Sequence, residues 1–373
     1  MSTRYLAAVL KALERVTKRI ALGSIAALMG RSQRGVRPDW RDGKYRVLFL
    51  RHDRIGDMIL STGILRAIAE SYPTIELDVL ASKTNAPVLI NEPYLHEVIP
   101  FDRKAASSFP GAFRDLRRRK YDAVIDCMVT APSLTTLLLM LATGARYRIG
   151  VAQRGNDFAY TLPVPPREAA EHIVDKLGTL VTAFGLQPTA LDLRPRVRLT
   201  AEENARGERI WAGDGTRTAL RGARLLVNVS AGRAHHFWPD DRFVAVIRAA
   251  REQEPSAEIL VVGSPSDRAR AARIAGEAGA RLVEDEGIRD AMAIVSRADV
   301  VFTPDTSISH ACSAFGKPAV VLHPRGFAAL WGPYETDGRA IESRTDSVAD
   351  ITADEAARVL VRRLASPPAK TAW

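Results

Sequence analysis

From residue 46 onward, hydrophobic positions come in short continuous blocks separated by longer stretches with helical spacing. The blocks RVLFLRH (46–52), IELDVLA (75–81), EVIPF (97–101), DAVIDCM (122–128) and YRIGV (147–151) are rich in β-branched residues. They read as strands buried on both faces, the mark of a parallel sheet covered by helices. Helical patterns fall between them near 58–71, 84–90, 110–119 and 133–143, and EHIVDKLGTLVTAFG adds another at 171–185. After the proline-bearing LRPRVRLT, a second series begins. The strands ARLLVNVSAG, AEILVVGSP, RLVED, DVVFTP and AVVLHP interleave with the helices RFVAVIRAAREQ, DRARAARIAGEAG, IRDAMAIVSRA and SISHACSAFG. The pattern predicts two doubly wound, Rossmann-like α/β units facing a central cleft. Their bounds are 46–200 and 223–373, with a linker or crossover at 201–222 and a helix at the C-terminal end.

Residues 1–45 stand outside this alternation. Leu6, Val9, Leu10, Leu13, Val16 and Ile20 recur at helical spacing, with Lys11, Arg15 and Lys18 on another face. Residues 1–46 hold eleven Lys/Arg against three acidic residues, so +8 of the formal charge of +10 lies there. A basic amphipathic helical arm of this kind either lies on an anionic membrane surface, through residues 1–40, or packs on the protein. On a membrane each basic group contributes on the order of 1 kcal/mol. The arm has few aromatic residues for stacking on bases, which disfavours nucleic acid as a partner. No apolar stretch approaches the roughly 20 residues that span a bilayer. No small-residue cleavage site follows the arm's apolar run, against a secretory signal. Cys127 and Cys312 are far apart, without metal-ligand spacing, so a disulfide framework or zinc site is not expected and a reducing cytoplasm is.

Neither half carries GxGxxG after a strand or GxxxxGK[ST], which removes the main support for a dinucleotide oxidoreductase or a P-loop enzyme. Three stretches carry candidate chemistry instead. In RHDRIGD, Gly56 permits a tight turn and Asp57 stands at a helix start, as a base for a hydroxyl proton or as a residue that merely favours the helix dipole. In DVVFTPDTSISHACSAFGKP, Asp305, Thr306 and Ser307 lie between a strand and a helix. Amides and hydroxyls there suit phosphate oxygens, and the same residues also read as ordinary N-caps. His310, one turn on, could face the same ligand or simply pack. In VSAGRAHHFWPDDRF, Arg233, His235 and His236 could meet an anion, or Trp238 could pack while Asp240 caps a helix.

Taken in order, RVLFLRHDRIGDMILSTGILRAIAESYP, NAPVLINEPYLHEVI, YRIG, VNVSAGRAHHFWPDDRFVAVI, VVGSPSDRARA and PDTSISHACSAFGKPAVVLHP followed by LWGPY resemble the landmarks of family 9 glycosyltransferases, the bacterial lipopolysaccharide heptosyltransferases. The resemblance spans about residues 46–335. It implies a GT-B architecture whose first domain binds the acceptor and whose second binds a nucleotide sugar. It also implies inverting transfer without a metal or other cofactor, typically from ADP-L-glycero-β-D-manno-heptose to the inner core of lipopolysaccharide, a lipid-linked glycan acceptor. Asp57 matches the family's proposed base, with Arg54 and Gly56 beside it on the acceptor side. Asp305 and Thr306 match its phosphate-binding turn, where Ser307 replaces the usual glycine, and His310 matches a histidine common in that motif. Asp267 falls near an acidic ribose contact. His236 stands where the family often carries a lysine that neutralises the leaving diphosphate, and Arg233 is the candidate substitute. The implied location is the cytoplasmic face of the inner membrane, with the arm as a peripheral attachment. Two other readings stay open: a transferase of another nucleotide sugar in cell-surface glycan synthesis, and a catalytically weak nucleotide-sugar-binding assembly protein.

Overall fold

The structure, a computed structural model, describes residues 23–25, 27, 34–103, 105, 107–153, 155–167, 172–213, 222–283 and 287–365. The amphipathic helix expected over residues 6–20 lies outside them. Among the described residues the strands form two six-stranded sheets, parallel at every pairing. The first contains β1 (Tyr45–Arg51), β2 (Ile75–Ser82), β3 (Glu97–Phe101), β4 (Ala123–Asp126), β5 (Tyr147–Val151) and β6 (Leu162–Val164), in the order β3-β2-β1-β4-β5-β6. The second contains β7 (Arg224–Asn228), β8 (Glu258–Val262), β9 (Arg281–Leu282), β10 (Val300–Pro304), β11 (Ala319–His323) and β12 (Arg339–Glu342), in the order β12-β11-β10-β7-β8-β9. Counted from its own first strand, the second sheet repeats the order of the first. Each order reverses once, between β1 and β4 and between β7 and β10, and the crevice at such a reversal is where α/β sheets bind ligands.

The continuous apolar blocks have the burial expected of central parallel strands: Val47, Leu48, Phe49 and Leu50 are all fully buried. The edges depart from the pattern. β6 is a three-residue Leu-Pro-Val, and β12 buries only Ile341, so neither carries a strand signal. The helix expected near 84–90 is a single 3₁₀ turn, Ala86–Leu89, with Pro87 at its start. The helix expected over 171–185 runs as α-helix only over Ile173–Gly178, then tightens to 3₁₀ over Thr179–Phe184 and stops at Gly185, whose φ is +80°.

Residues Ala201–Ala212 form a helix opened by a capping box, Thr200 receiving the Glu203 amide while the Glu203 carboxylate receives the Thr200 amide. This helix packs on Ile288–Arg297. Gly207 lies against the Ala293 carbonyl with no room for a Cβ, and the buried Trp211 indole donates to the Ile294 carbonyl at 3.0 Å. Before β1, Trp40 is buried in the first core, where its indole donates to the Ala183 carbonyl at 3.0 Å and its ring lies 4.7 Å from Phe184. Cys127 and Cys312 are buried free thiols. No helix among the described residues is long and apolar enough to cross a membrane.

Candidate active site

The two strand-order reversals face each other. The Ile55–Ser71 helix, which follows β1, packs against Ser307–Ala314, which follows β10. The fit is closest at Gly56, where an added Cβ would overlap Cδ2 of His310. That buried ring is also 6.2 Å from the Trp331 ring, and its Nδ1 has no hydrogen-bond partner. Ion pairs and hydrogen bonds bridge the halves further out. The Tyr334 hydroxyl donates to Asp175 at 2.8 Å, and Arg289 donates to Glu203 and reaches the Val88 carbonyl at 3.5 Å.

On the first side, the turn from β1 into the helix holds a buried charge cluster. Arg51, 3% exposed, donates to Asp53 at 3.0 Å and to the Ser61 hydroxyl at 3.0 Å, and its guanidinium is 4.0 Å from the Asp57 carboxylate. Asn85, fully buried, pins this turn by donating to the carbonyls of Arg51 at 3.1 Å and Arg54 at 3.4 Å. Asp57 sits in the first turn of the helix. Burial pushes its pKa up to about 6, against the pull of Arg51, Arg54 and Arg233, with Asp53 adding to the rise. Asp57 follows directly on Gly56, the point at which this helix meets His310 of the other half.

On the second side, β10 runs through Thr303 and Pro304 into Asp305. Burial raises Asp305 to about 7, Arg233 and Arg54 oppose the shift, and Asp57 adds to it. Thr306 is the N-cap of the next helix, its hydroxyl receiving the Ile308 amide at 3.3 Å and a bond from the Asn228 amide at 3.1 Å. Ser307 opens the helix with ordinary helical backbone, so a side chain fits where the family usually has glycine. The positive end of that helix opens next to Asp305. His236 lies in the loop after β7 and is 4% exposed; its Nδ1 bonds the Asp305 carbonyl at 2.8 Å. A carbonyl only accepts, so Nδ1 carries the proton and Nε2 presents a lone pair. Burial lowers His236 to about 4, and the ring is neutral at pH 7. Arg233, exposed on the same loop, is a permanent cation whose charge opposes the rise of both Asp57 and Asp305. Asp267 stands one strand further out, beyond β8, where the Ser264 hydroxyl donates to it at 2.6 Å.

The structure thus brings Asp57, Arg54, Gly56, Arg233, His236, Asp305, Thr306, Ser307 and His310 around one cleft, with Asp267 on the same edge of the second sheet. Sequence reasoning missed Arg51, Asp53, Asn85, Asn228 and His323. His323 ends β11 with no exposed surface, 3.8 Å from the Asp305 carboxylate. A polar residue closing the apolar strand AVVLHP was its signal. Elsewhere, Asp78, His96 and Glu97 come close enough together to hold a metal ion. They lie where Asp78 of β2 pairs with the start of β3, away from the cleft, and are engaged already: Asp78 accepts from Tyr121 at 2.6 Å and pairs with His96 at 2.7 Å, while Glu97 pairs with Arg119.

Two Rossmann-type halves meeting at facing strand-order reversals form a GT-B architecture. Residues 111–357 match glycosyltransferase family 9 (heptosyltransferase), and the chain belongs to that family. Its sequence is 23% identical over 316 residues to lipopolysaccharide heptosyltransferase 2 of Escherichia coli (strain K12), covering 78% of this chain and 84% of that one. The crystal structure of a family 9 glycosyl transferase from Veillonella parvula superposes with a TM-score of 0.74 at 16% identity, covering 87% of this chain and 99% of that one. E. coli heptosyltransferase WaaC with ADP-2-deoxy-2-fluoro heptose superposes with a TM-score of 0.66 at 17% identity, covering 85% and 99%.

Proposed function

We propose that this glycosyltransferase moves a heptose from ADP-heptose to the inner core of lipopolysaccharide, with inversion at the anomeric carbon and Asp57 as the general base. The observation that carries the reading is the contact of the Asp57 helix with the Ser307–Ala314 helix, closest where Gly56 meets the His310 ring. Relatives whose names specify lipopolysaccharide heptose transfer, and a like-folded enzyme holding an ADP-heptose analogue, support the choice of substrates.

In this mechanism the acceptor hydroxyl, held on the Arg54–Gly56 side, attacks the anomeric carbon and gives its proton to Asp57. The bond from that carbon to the diphosphate breaks, and the electron pair leaves on the phosphate oxygen. Growing charge there is met by the helix-start amides at Thr306 and Ser307 and by Arg233, fixed groups that stabilise the transition state more than the ground state. The reading calls on no metal ion. Asp305, His236 and His310 border the sugar and diphosphate, and Asp267 takes the ribose. Closure of the halves excludes water that would hydrolyse the donor.

Purified protein offered a panel of ADP- and UDP-sugars with a heptose-deficient lipopolysaccharide acceptor should transfer from ADP-heptose. Transfer only from another sugar would overturn the donor, and binding without transfer from any of them would favour an assembly protein over an enzyme.

The basic arm fits an enzyme working on a membrane-bound acceptor at the cytoplasmic face. Trp40 belongs to the core, so the informative truncation removes residues 1–33. It should abolish binding to anionic phosphatidylglycerol vesicles while soluble acceptor fragments are still turned over. Unchanged vesicle binding by the truncated protein would rule out the arm as the attachment.

A further inference from the structure

We propose that the donor side of the cleft takes up one proton when a nucleotide diphosphate-sugar binds, held among Asp305, His236 and His323, with His323 as a positioning residue acting through Asp305. The inference rests on the nucleotide-sugar reading above and adds to it a second source of positive charge beside Arg233.

Two imidazoles bracket one carboxylate oxygen. Nε2 of His236 and Nδ1 of His323 each lie 3.8 Å from Oδ2 of Asp305. That is too long for a hydrogen bond and too close for indifference. His236 commits its N–H to the Asp305 carbonyl, so what it turns toward Oδ2 is a lone pair. His323, fully buried on the neighbouring strand, has no hydrogen-bond partner at either ring nitrogen, and Nε2 of His236 has none either. Buried polar atoms without partners are costly. One added proton turns such a contact into a charge-assisted hydrogen bond, and a short one.

The diphosphate supplies the reason to add it. Its two negative charges would settle at the helix start directly after Asp305, where an ionised carboxylate repels them. Arg233 and Arg54 face Asp305 and offset part of that repulsion, while Asp57 faces it and increases it. His172 faces His323 and is itself held toward neutrality by burial. The free cluster has room for the proton: Asp305 sits at about 7, His236 at about 4 and His323 at about 3, so at pH 8 it comprises a carboxylate and two neutral rings. The proton comes from solvent, and the bond formed is an N–H or O–H within the cluster.

Calorimetric titration of the full chain with ADP-heptose and with ADP-glucose, whose diphosphate diesters do not titrate near neutrality, tests this. At pH 8, in buffers of different ionisation enthalpy, binding should take up about one proton per nucleotide sugar, and affinity should fall about tenfold per pH unit above 8. His323→Phe should remove most of the uptake. If that variant does not fold, His236→Lys gives the same reading, since a permanent ammonium replaces the proton and binding becomes independent of pH between 8 and 9. Asp57→Asn should leave the uptake in place, assigning the proton to the donor side. Binding without net proton exchange, or uptake that survives both histidine variants, overturns the proposal and leaves the nucleotide-sugar reading standing. No binding of either nucleotide sugar overturns both.

Discussion

Asp57→Asn is expected to lower kcat with ADP-heptose by about 10³-fold while nucleotide-sugar affinity changes by less than about threefold, the range for losing a positioned general base. The carboxylate sits in the first helical turn on the acceptor half, while the expected donor groups belong to the other half, so the loss should fall on kcat. Full turnover by the variant would remove Asp57 from the chemistry. In the wild type, kcat/KM should fall as pH drops below about 6, where Asp57 takes up a proton. The same shift makes a stability statement. With a folded pKa of about 6 against an ordinary value of 3.8, the native state holds the proton that the unfolded chain has released, so stability is lost as pH rises through that window. Asparagine removes the penalty. The variant should therefore be more stable than the wild type at pH 8, by an amount on the order of 1–3 kcal/mol seen as a higher unfolding temperature, and the gap should close near pH 4. A gain in stability that accompanies a loss of activity is the signature of a charge kept for function.

The other large effect is expected at Gly56. A methyl group there would overlap the His310 ring, which is buried against Trp331 and cannot swing into solvent. Gly56→Ala must therefore push the Ser307–Ala314 helix away or shift the turn that carries Asp57, and either separates base from donor. Displacements of about 1 Å at a reacting centre cost about 10²-fold, so kcat should drop by that order. His310→Ala added to Gly56→Ala should recover part of it, since the two residues share one contact and their effects should not add. Wild-type turnover by Gly56→Ala would mean that the halves do not close through this contact during catalysis.

The central architecture was readable from the chain because parallel strands buried on both faces leave continuous apolar runs: Val47 to Leu50, Ile259 to Val262 and Val300 to Phe302 are such runs. β6 and β12 were not readable, being short edge strands with little to bury. The Ala201–Ala212 helix was legible in principle, since Thr200 and Glu203 stand at capping-box spacing, but its hydrophobic stripe is thin: only Gly207 and Trp211 are buried. In the site, Asp57 and Asp305 were found because each follows an apolar strand at a helix start. Arg51 was harder, because a buried arginine is legible only once Asp53, Asp57 and Ser61 are known to surround it. His323 was harder still, since its relation to Asp305 exists only through the pairing of β10 with β11.

The repeated strand order has a consequence for how such a protein can diversify. Residues expected to border the donor descend from one sheet and those expected to border the acceptor from the other, and the two lists share no stretch of chain. Substitutions that retune sugar choice can accumulate after residue 223 without disturbing the acceptor pocket, and the reverse holds before residue 165. The seam between the halves, tightest at Gly56 and His310 and continued by Tyr334 with Asp175, binds both lineages of change to one another.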